Sequence, residues 1–322
     1  MNKRLESEIN IAAKIIKNGG IVAFPTETVY GLGADAFNVN AIKKIYEVKE
    51  RPFSDPLIVH ICKREQIEDL CERINNKIIK LIDKFWPGPL TIVVKKNPLL
   101  PDIVTAGKDT VAIRMPENKI ALEFIKQCGT PIAAPSANKF GRLSPTTAQH
   151  VKKQLGKSVD FIIDGGRCLV GLESTIVDMS SKKISILRSG VITAEDIEKV
   201  IGEKVNIAKT HRDKIFPGSF TRHYSPKAQV VFFEKNKLKN FDIRTSGFIF
   251  FNTPGSFSSI IPKDKIKILS PKKNLKEAAS NLYFFLHELD EKGVEKIFVE
   301  KIKKIGIGIA IMDRVEKASG KI

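Results

Sequence analysis

The feature that most constrains this chain is a series of short apolar runs separated by stretches with helical spacing. Ile21-Val22-Ala23-Phe24, Leu57 to Ile61, Leu90 to Val94, Val111 to Ile113, Ile132 to Ala134 and Phe161 to Ile163 read as buried strands. Between several of them apolar residues recur three and four apart, as with Ile9, Ala12, Ala13 and Ile16 or Ile42, Ile45 and Tyr46. The alternation predicts an α/β fold. The first helix stops at Asn18-Gly19-Gly20, where glycine suits a C-terminal cap. A second is predicted over about 40–48, and Pro52 forces the chain off it, leaving Lys49 and Arg51 at its exit. Thr26 to Gly33 is polar and punctuated by glycine, and reads as a functional loop.

At 322 residues the chain exceeds one ordinary core. The periodicity breaks after residue 208, which predicts a first domain over 1–208, a linker over 209–228 and a smaller domain over 229–322. The linker carries Lys209, Arg212, Lys214, Arg222 and Lys227 against Asp213 alone. After it, Gln229 to Phe233 and Phe248 to Phe251 restart as strands, and Leu275 to Leu289 reads as an amphipathic helix. Ile305 to Met312 alternates glycine with isoleucine but lacks a full GxGxxG, so close backbone packing is the reading there.

Hydrophobic residues at 42% and charged residues at 28% describe a globular chain. No run approaches the ~20 apolar residues of a bilayer span, and the charged N-terminus lacks the apolar core of a signal peptide. Cys62, Cys71, Cys128 and Cys168 form no CxxC pair and read as small core residues in a reducing cytoplasm. His60, His150, His211, His223 and His287 show no ligand spacing, so no protein-built metal site is expected. A net charge of +18 favours anionic partners without identifying them.

Lys49-Glu50-Arg51 places two cations at the negative end of a helix. Ser136-Ala137-Asn138 follows the strand ending at Ala134 and, in extended backbone, would show both polar side chains on one face. Arg114 and Arg188 close apolar strands, where a guanidinium can fork onto a carboxylate or phosphate. Gly165-Gly166 and Gly171-Leu172-Glu173-Ser174-Thr175 read as turns. Walker A, GxSxG, HExxH and kinase signatures are absent, so phosphate chemistry would need another cradle.

The ordered string FPTETVYGLGADA (24–36), KERP with PLIVHI (49–61), WPGPLT (86–91) and IAAPSAN (132–138) resembles the YrdC-like threonylcarbamoyl-adenylate synthase family. IIDGG (162–166), GLESTIVD (171–178), ILRSG (186–190) and PGSFTRHYSP (217–226) extend the resemblance to its longer, two-domain form. The resemblance implies a twisted open-sheet synthase domain, a linker crossing its cavity and a smaller Rossmann-like α/β domain. It implies a cytoplasmic enzyme that joins L-threonine, bicarbonate and ATP, with Mg²⁺ on the phosphates, into threonylcarbamoyl-adenylate and pyrophosphate. Partner proteins would then transfer the threonylcarbamoyl group to tRNAs reading ANN codons.

By that resemblance Lys49 and Arg51 are catalytic, and with Ser136, Asn138, Ser144, Arg188, Tyr224 and Ser225 they contact ATP. Thr26, His60, Thr110, Arg114 and Ser174 surround threonine. Two departures stand out: Arg188-Ser189-Gly190 where the family usually reads Arg-Pro-Gly, and Gly218-Ser219 where it commonly reads Gly-Met. The rival reading is an RNA-binding or RNA-folding module without catalysis. An aromatic content of 7% and the lack of a basic-aromatic motif weigh against it.

Overall fold

The computed structural model describes residues 3–208, 224–234 and 242–320. Its larger sheet contains β1 (Val22–Phe24), β2 (Gly31–Asp35), β3 (Ile58–His60), β4 (Leu90–Lys95), β5 (Thr110–Arg114), β6 (Ile132–Ala133), β7 (Phe161–Ile162), β8 (Thr175–Asp178), β9 (Ser185–Arg188) and β10 (Asn206–Ile207). They lie in the order β10-β9-β8-β4-β5-β3-β6-β2-β1-β7, with parallel and antiparallel pairs mixed. The helices of this part are α1 (Lys3–Lys17), α2 (Val39–Lys49), α3 (Asn76–Phe85), α4 (Asp102–Thr105), α5 (Lys119–Cys128), α6 (Ala148–Leu155) and α7 (Ala194–Ile201).

Alternation along the strands divides the core. Val22 and Phe24 point to a cluster with Ile9, Ile16 and Phe124 of α1 and α5, whereas Ala23 joins Ile42, Ile45 and Leu81 of α2 and α3 on the other face. The sheet is thus covered on both sides.

The predicted loop over Thr26 to Gly33 is corrected in its second half, because Gly31 and Gly33 belong to β2 and are buried. A Cβ on Gly33 would stand 2.6 Å from Ile132 Cγ2 and 2.8 Å from Phe24 Cε1. These glycines admit neighbouring side chains rather than turn the chain, a use that punctuation alone cannot distinguish.

The smaller sheet comprises β11 (Gln229–Phe233), β12 (Ser246–Phe250), β13 (Ile266–Ile268) and β14 (Lys296–Glu300), all parallel, in the order β11-β14-β12-β13. Helices α8 (Leu275–Glu291) and α9 (Ile307–Ser319) accompany it. The reading of Ile305 to Met312 as close packing agrees with Gly308, whose Cβ would meet the Lys303 carbonyl at 2.2 Å. Of the predicted linker, residues 209–223 lie outside the described residues, as do Gly218-Ser219. Tyr224 is buried in a cluster that joins Val29, Leu143 and Leu172 to Leu282, Tyr283 and Ile311, so the two sheets share apolar contact.

Cys71, Cys128 and Cys168 are buried, Cys62 is half-buried, and all four are free thiols. Among the described residues no helix is long and apolar enough to cross a membrane.

Candidate active site

Helix α2 ends because Glu50 adopts a left-handed φ of 55°, and its N–H returns to the carbonyls of Glu47 and Tyr46. The turn aims Lys49 and Arg51 inward. Lys49 is buried, and its Nζ donates to the carbonyls of Ser136 (2.6 Å) and Asn138. Burial, followed by the nearby Arg51, holds its pKa well below the ordinary lysine value, against the opposing pull of Asp55. Arg51 donates through Nε to the Asp55 carbonyl (3.1 Å) and through Nη2 to that of Pro56 (2.8 Å), and pairs with Asp55 Oδ2 at 2.8 Å.

Arg51, Arg114 and Arg188 line one cleft together with Thr26, Thr28, His60, Ser136, Ser174 and Tyr224. Parallel pairing of β3 with β5 sets His60 opposite Arg114. Arg114 donates through Nη1 to Thr28 Oγ1 (2.8 Å) and through Nε to the Gly88 carbonyl (3.2 Å), and Nη2 pairs with Glu27 at 2.6 Å. Burial, reinforced by Arg114, lowers the His60 pKa to about 3, so the imidazole is neutral, and its Nδ1 has no hydrogen-bond partner among the described residues. Thr26 braces its own loop, since its hydroxyl donates to the Val29 carbonyl (2.6 Å) and accepts from the Val29 N–H (3.2 Å).

Arg188 closes the opposite wall. Its Nε donates to the Ser174 carbonyl and its Nη2 to Ser174 Oγ, each at 3.1 Å, while Ser174 and Thr91 share a hydroxyl bond of 2.7 Å. A Cβ on Gly190 would lie 2.5 Å from the Thr175 nitrogen, so this turn depends on glycine whether or not proline precedes it.

Several predicted site residues stand elsewhere. Thr110 begins β5, paired with Lys95, four residues back along the strand from Arg114; it does not line the cleft. Asn138 does not share a face with Ser136, because its N–H returns to the Ser136 carbonyl (3.0 Å) in a tight turn. Its side-chain nitrogen donates to the carbonyls of Lys139 and Arg142. Lys49 lies behind the wall, held to backbone, and Ser144 donates to Glu173 Oε1 at 2.6 Å. Ser225 faces a second groove with Arg142 and Lys153.

Residue reading missed Thr28, Asp55, Glu173, Tyr283 and Arg314. Glu173 lies inside a segment read as a turn, yet it accepts from Ser144, from Tyr283 Oη (3.2 Å) and from Arg314 Nε (2.7 Å). The available signal was Arg314 itself, a cation on the apolar stripe of α9 with Ala310, Ile311 and Ala318, where burial demands a partner.

The second groove also departs from the expected lack of metal-ligand grouping. His150, His287 and Glu291 bring one donor atom each within 4.8 Å. The imidazoles stack at 3.8 Å with planes 20° apart, so their lone pairs lie in nearly parallel, separate planes, and Glu291 is paired with Lys153 at 2.6 Å. His287 Nε2 meets the Ser144 carbonyl at 3.1 Å. As it stands, the grouping is a contact between α6 and α8 rather than a convergent ligand set.

Residues 14–190 match the family described as telomere recombination, and residues 192–320 match the family described as threonylcarbamoyl-AMP synthase, C-terminal domain. The chain is 41% identical to a threonylcarbamoyl-AMP synthase of Pyrococcus abyssi, covering 99% of this chain and 96% of that protein. It is 40% identical to a Bacillus subtilis protein of the same name, over 98% and 94%. Its fold resembles the crystal structure of P. abyssi Sua5 complexed with L-threonine, with a TM-score of 0.90 at 40% identity, covering 98% and 95%.

Proposed function

The chain belongs to the threonylcarbamoyl-AMP synthase family in its two-domain form, and we propose that its cleft joins L-threonine, bicarbonate and ATP into L-threonylcarbamoyl-adenylate and pyrophosphate. The observation that carries this reading is the convergence of Arg51, Arg114 and Arg188 on one cleft that also contains a neutral imidazole and several hydroxyls.

The threonine amine condenses with bicarbonate, releasing water and leaving a carbamate. A carbamate oxygen then attacks the α-phosphorus, and the bond to the β-phosphate oxygen breaks with its electron pair departing on pyrophosphate. Two anions must approach, so the protein's work is positioning and charge stabilisation. Arg114, beside Thr28 and His60, suits the threonine carboxylate; a guanidinium can offer it two parallel hydrogen bonds. Arg51 and Arg188 suit the phosphates, and Ser136 lines the same cleft. Lys49 fixes the carbonyls of Ser136 and Asn138 and so supports the nucleotide wall from behind. Mg²⁺ enters on the phosphate oxygens, since Asp55, Glu27 and Glu173 are each engaged by an arginine.

We further read 1–208 as the synthase domain, 229–322 as the smaller domain and 209–228 as a lid that excludes water from a labile carbamate. Tyr224, at its end, lines the cleft. The product would pass, in the cytoplasm, to proteins that modify tRNA, and the charge of +18 suits contact with RNA on the way. A non-catalytic RNA module is not favoured, because relatives matched across the full chain carry the synthase name.

The test is mass detection of threonylcarbamoyl-adenylate, with pyrophosphate release that requires both L-threonine and bicarbonate. Arg51→Ala should lower kcat/KM by about 3 kcal/mol, comparable to losing an oxyanion donor, and Lys49→Ala should lower it through loss of the support behind the nucleotide wall. Product formation without threonine, or unchanged turnover in both variants, would defeat the assignment.

A further inference from the structure

Arg314 lies on α9 of the smaller domain, is fully buried, and directs two arms of its guanidinium at the larger one. Nε donates to Glu173 Oε2 at 2.7 Å, and Nη2 donates to the Ser189 carbonyl at 3.0 Å. Nη1 pairs with Asp313, and the Tyr224 ring lies 5.1 Å from the guanidinium carbon. Neither contact ends in inert core. Glu173 lines the cleft and holds Ser144 through its other oxygen, and Ser189 adjoins Arg188, which also lines it.

We propose that Arg314 is a positioning residue: by holding Glu173 and the Arg188–Gly190 turn together, it sets the geometry of the nucleotide end of the cleft. The proposal rests on the reading of that end as the ATP site. The smaller domain is then part of the active-site wall and not an appendage to it.

The charges around Glu173 make the argument specific. Arg314 faces it from α9 with Asp313 beside that arginine, Tyr283 from α8, Arg188 from β9, and Tyr224 from the linker. Burial pushes the Glu173 carboxyl up, but Arg314 and then Arg188 outweigh it and hold the pKa below the usual value. Without Arg314, Arg188 is the remaining cation beside a buried carboxylate among the described residues. A guanidinium drawn onto Glu173 is no longer directed at a phosphate. Among the described contacts Thr28, His60 and Arg114 of threonine's end share none of these, and Ser174, which Arg188 holds, joins the two ends.

The deciding measurement is direct binding of a nonhydrolysable ATP analogue and, separately, of L-threonine to the full chain and to Arg314→Met, Arg314→Lys and Glu173→Gln. The expected result for Arg314→Met is tenfold or greater weakening of the analogue, with threonine affinity within twofold of the parent and part of the loss recovered in Arg314→Lys. Analogue affinity within twofold of the parent, or equal losses for both ligands, overturns the proposal. Should Arg314→Met fail to fold, the near-isosteric Glu173→Gln must reproduce the analogue-specific loss, and its failure to do so is equally decisive. These constants are read without turnover, so a parent protein that makes no adenylate counts against the proposed reaction and leaves this comparison readable.

Discussion

Replacing Arg114 by Gln should destabilise the protein far more than replacing Arg114 and Glu27 together. The Nη2–Oε1 separation is 2.6 Å and both side chains are nearly inaccessible, at 4% and 6% exposure. At an effective dielectric near 20, Coulomb's law gives about 6 kcal/mol of attraction at that distance, offset by desolvation of several kcal/mol per ion. The pair is therefore close to neutral as a unit, but leaving Glu27 charged and alone costs about 3–5 kcal/mol. Losing the bonds to Thr28 and the Gly88 carbonyl adds about 1 kcal/mol each. Chemical denaturation of the parent, both single variants and the double variant would close the cycle. The double variant should recover at least 2 kcal/mol relative to Arg114→Gln, while binding L-threonine no better than that single variant. Additive losses, or a single-variant cost below about 1 kcal/mol, would show that the two charges are not coupled and that the account of the threonine end is wrong.

Gly33→Val should cost about 1–3 kcal/mol through overpacking against Ile132 and Phe24, read as a lowered denaturation midpoint, and a neutral effect would undo the close-packing explanation of β2. His60 has a folded-state pKa of about 3 against an ordinary 6.5, so the unfolded chain binds the extra proton. Its contribution is complete above about pH 6.5 and falls by about 2 kcal/mol by pH 5. In His60→Asn the stability should decline less steeply over that interval, and identical slopes would refute the burial argument. Thr110→Val should leave the threonine KM unchanged, since Thr110 stands at the other end of β5, and a tenfold increase would restore it to the site.

The strand Gln229–Phe233 and the exit of α2 at Lys49 were legible because apolar runs and a following proline are local signals. Strand order was not: β3 lies between β5 and β6, an arrangement set by contacts far apart in sequence. The same limit governs the site. Arg51, Arg114 and Arg188 could be identified as strand-end and helix-exit cations, but their convergence depends on that order. Asn138 was misplaced because one backbone hydrogen bond to Ser136 turned the chain where extension was assumed. Glu173 escaped notice because a carboxylate in a short polar segment after Gly171 looks like a surface turn; only its burial against Arg314 reveals otherwise.

The order of the smaller sheet bears on how the protein is made. Strands β11 and β12 share no ladder, and each pairs with β14, which a ribosome supplies after both. A nascent chain therefore holds β11 apart from the β12–β13 pair until β14 emerges, and Arg314 follows on the next helix. The larger domain, synthesised long before, must wait with Glu173 unclamped, so the finished cleft is a late product of translation.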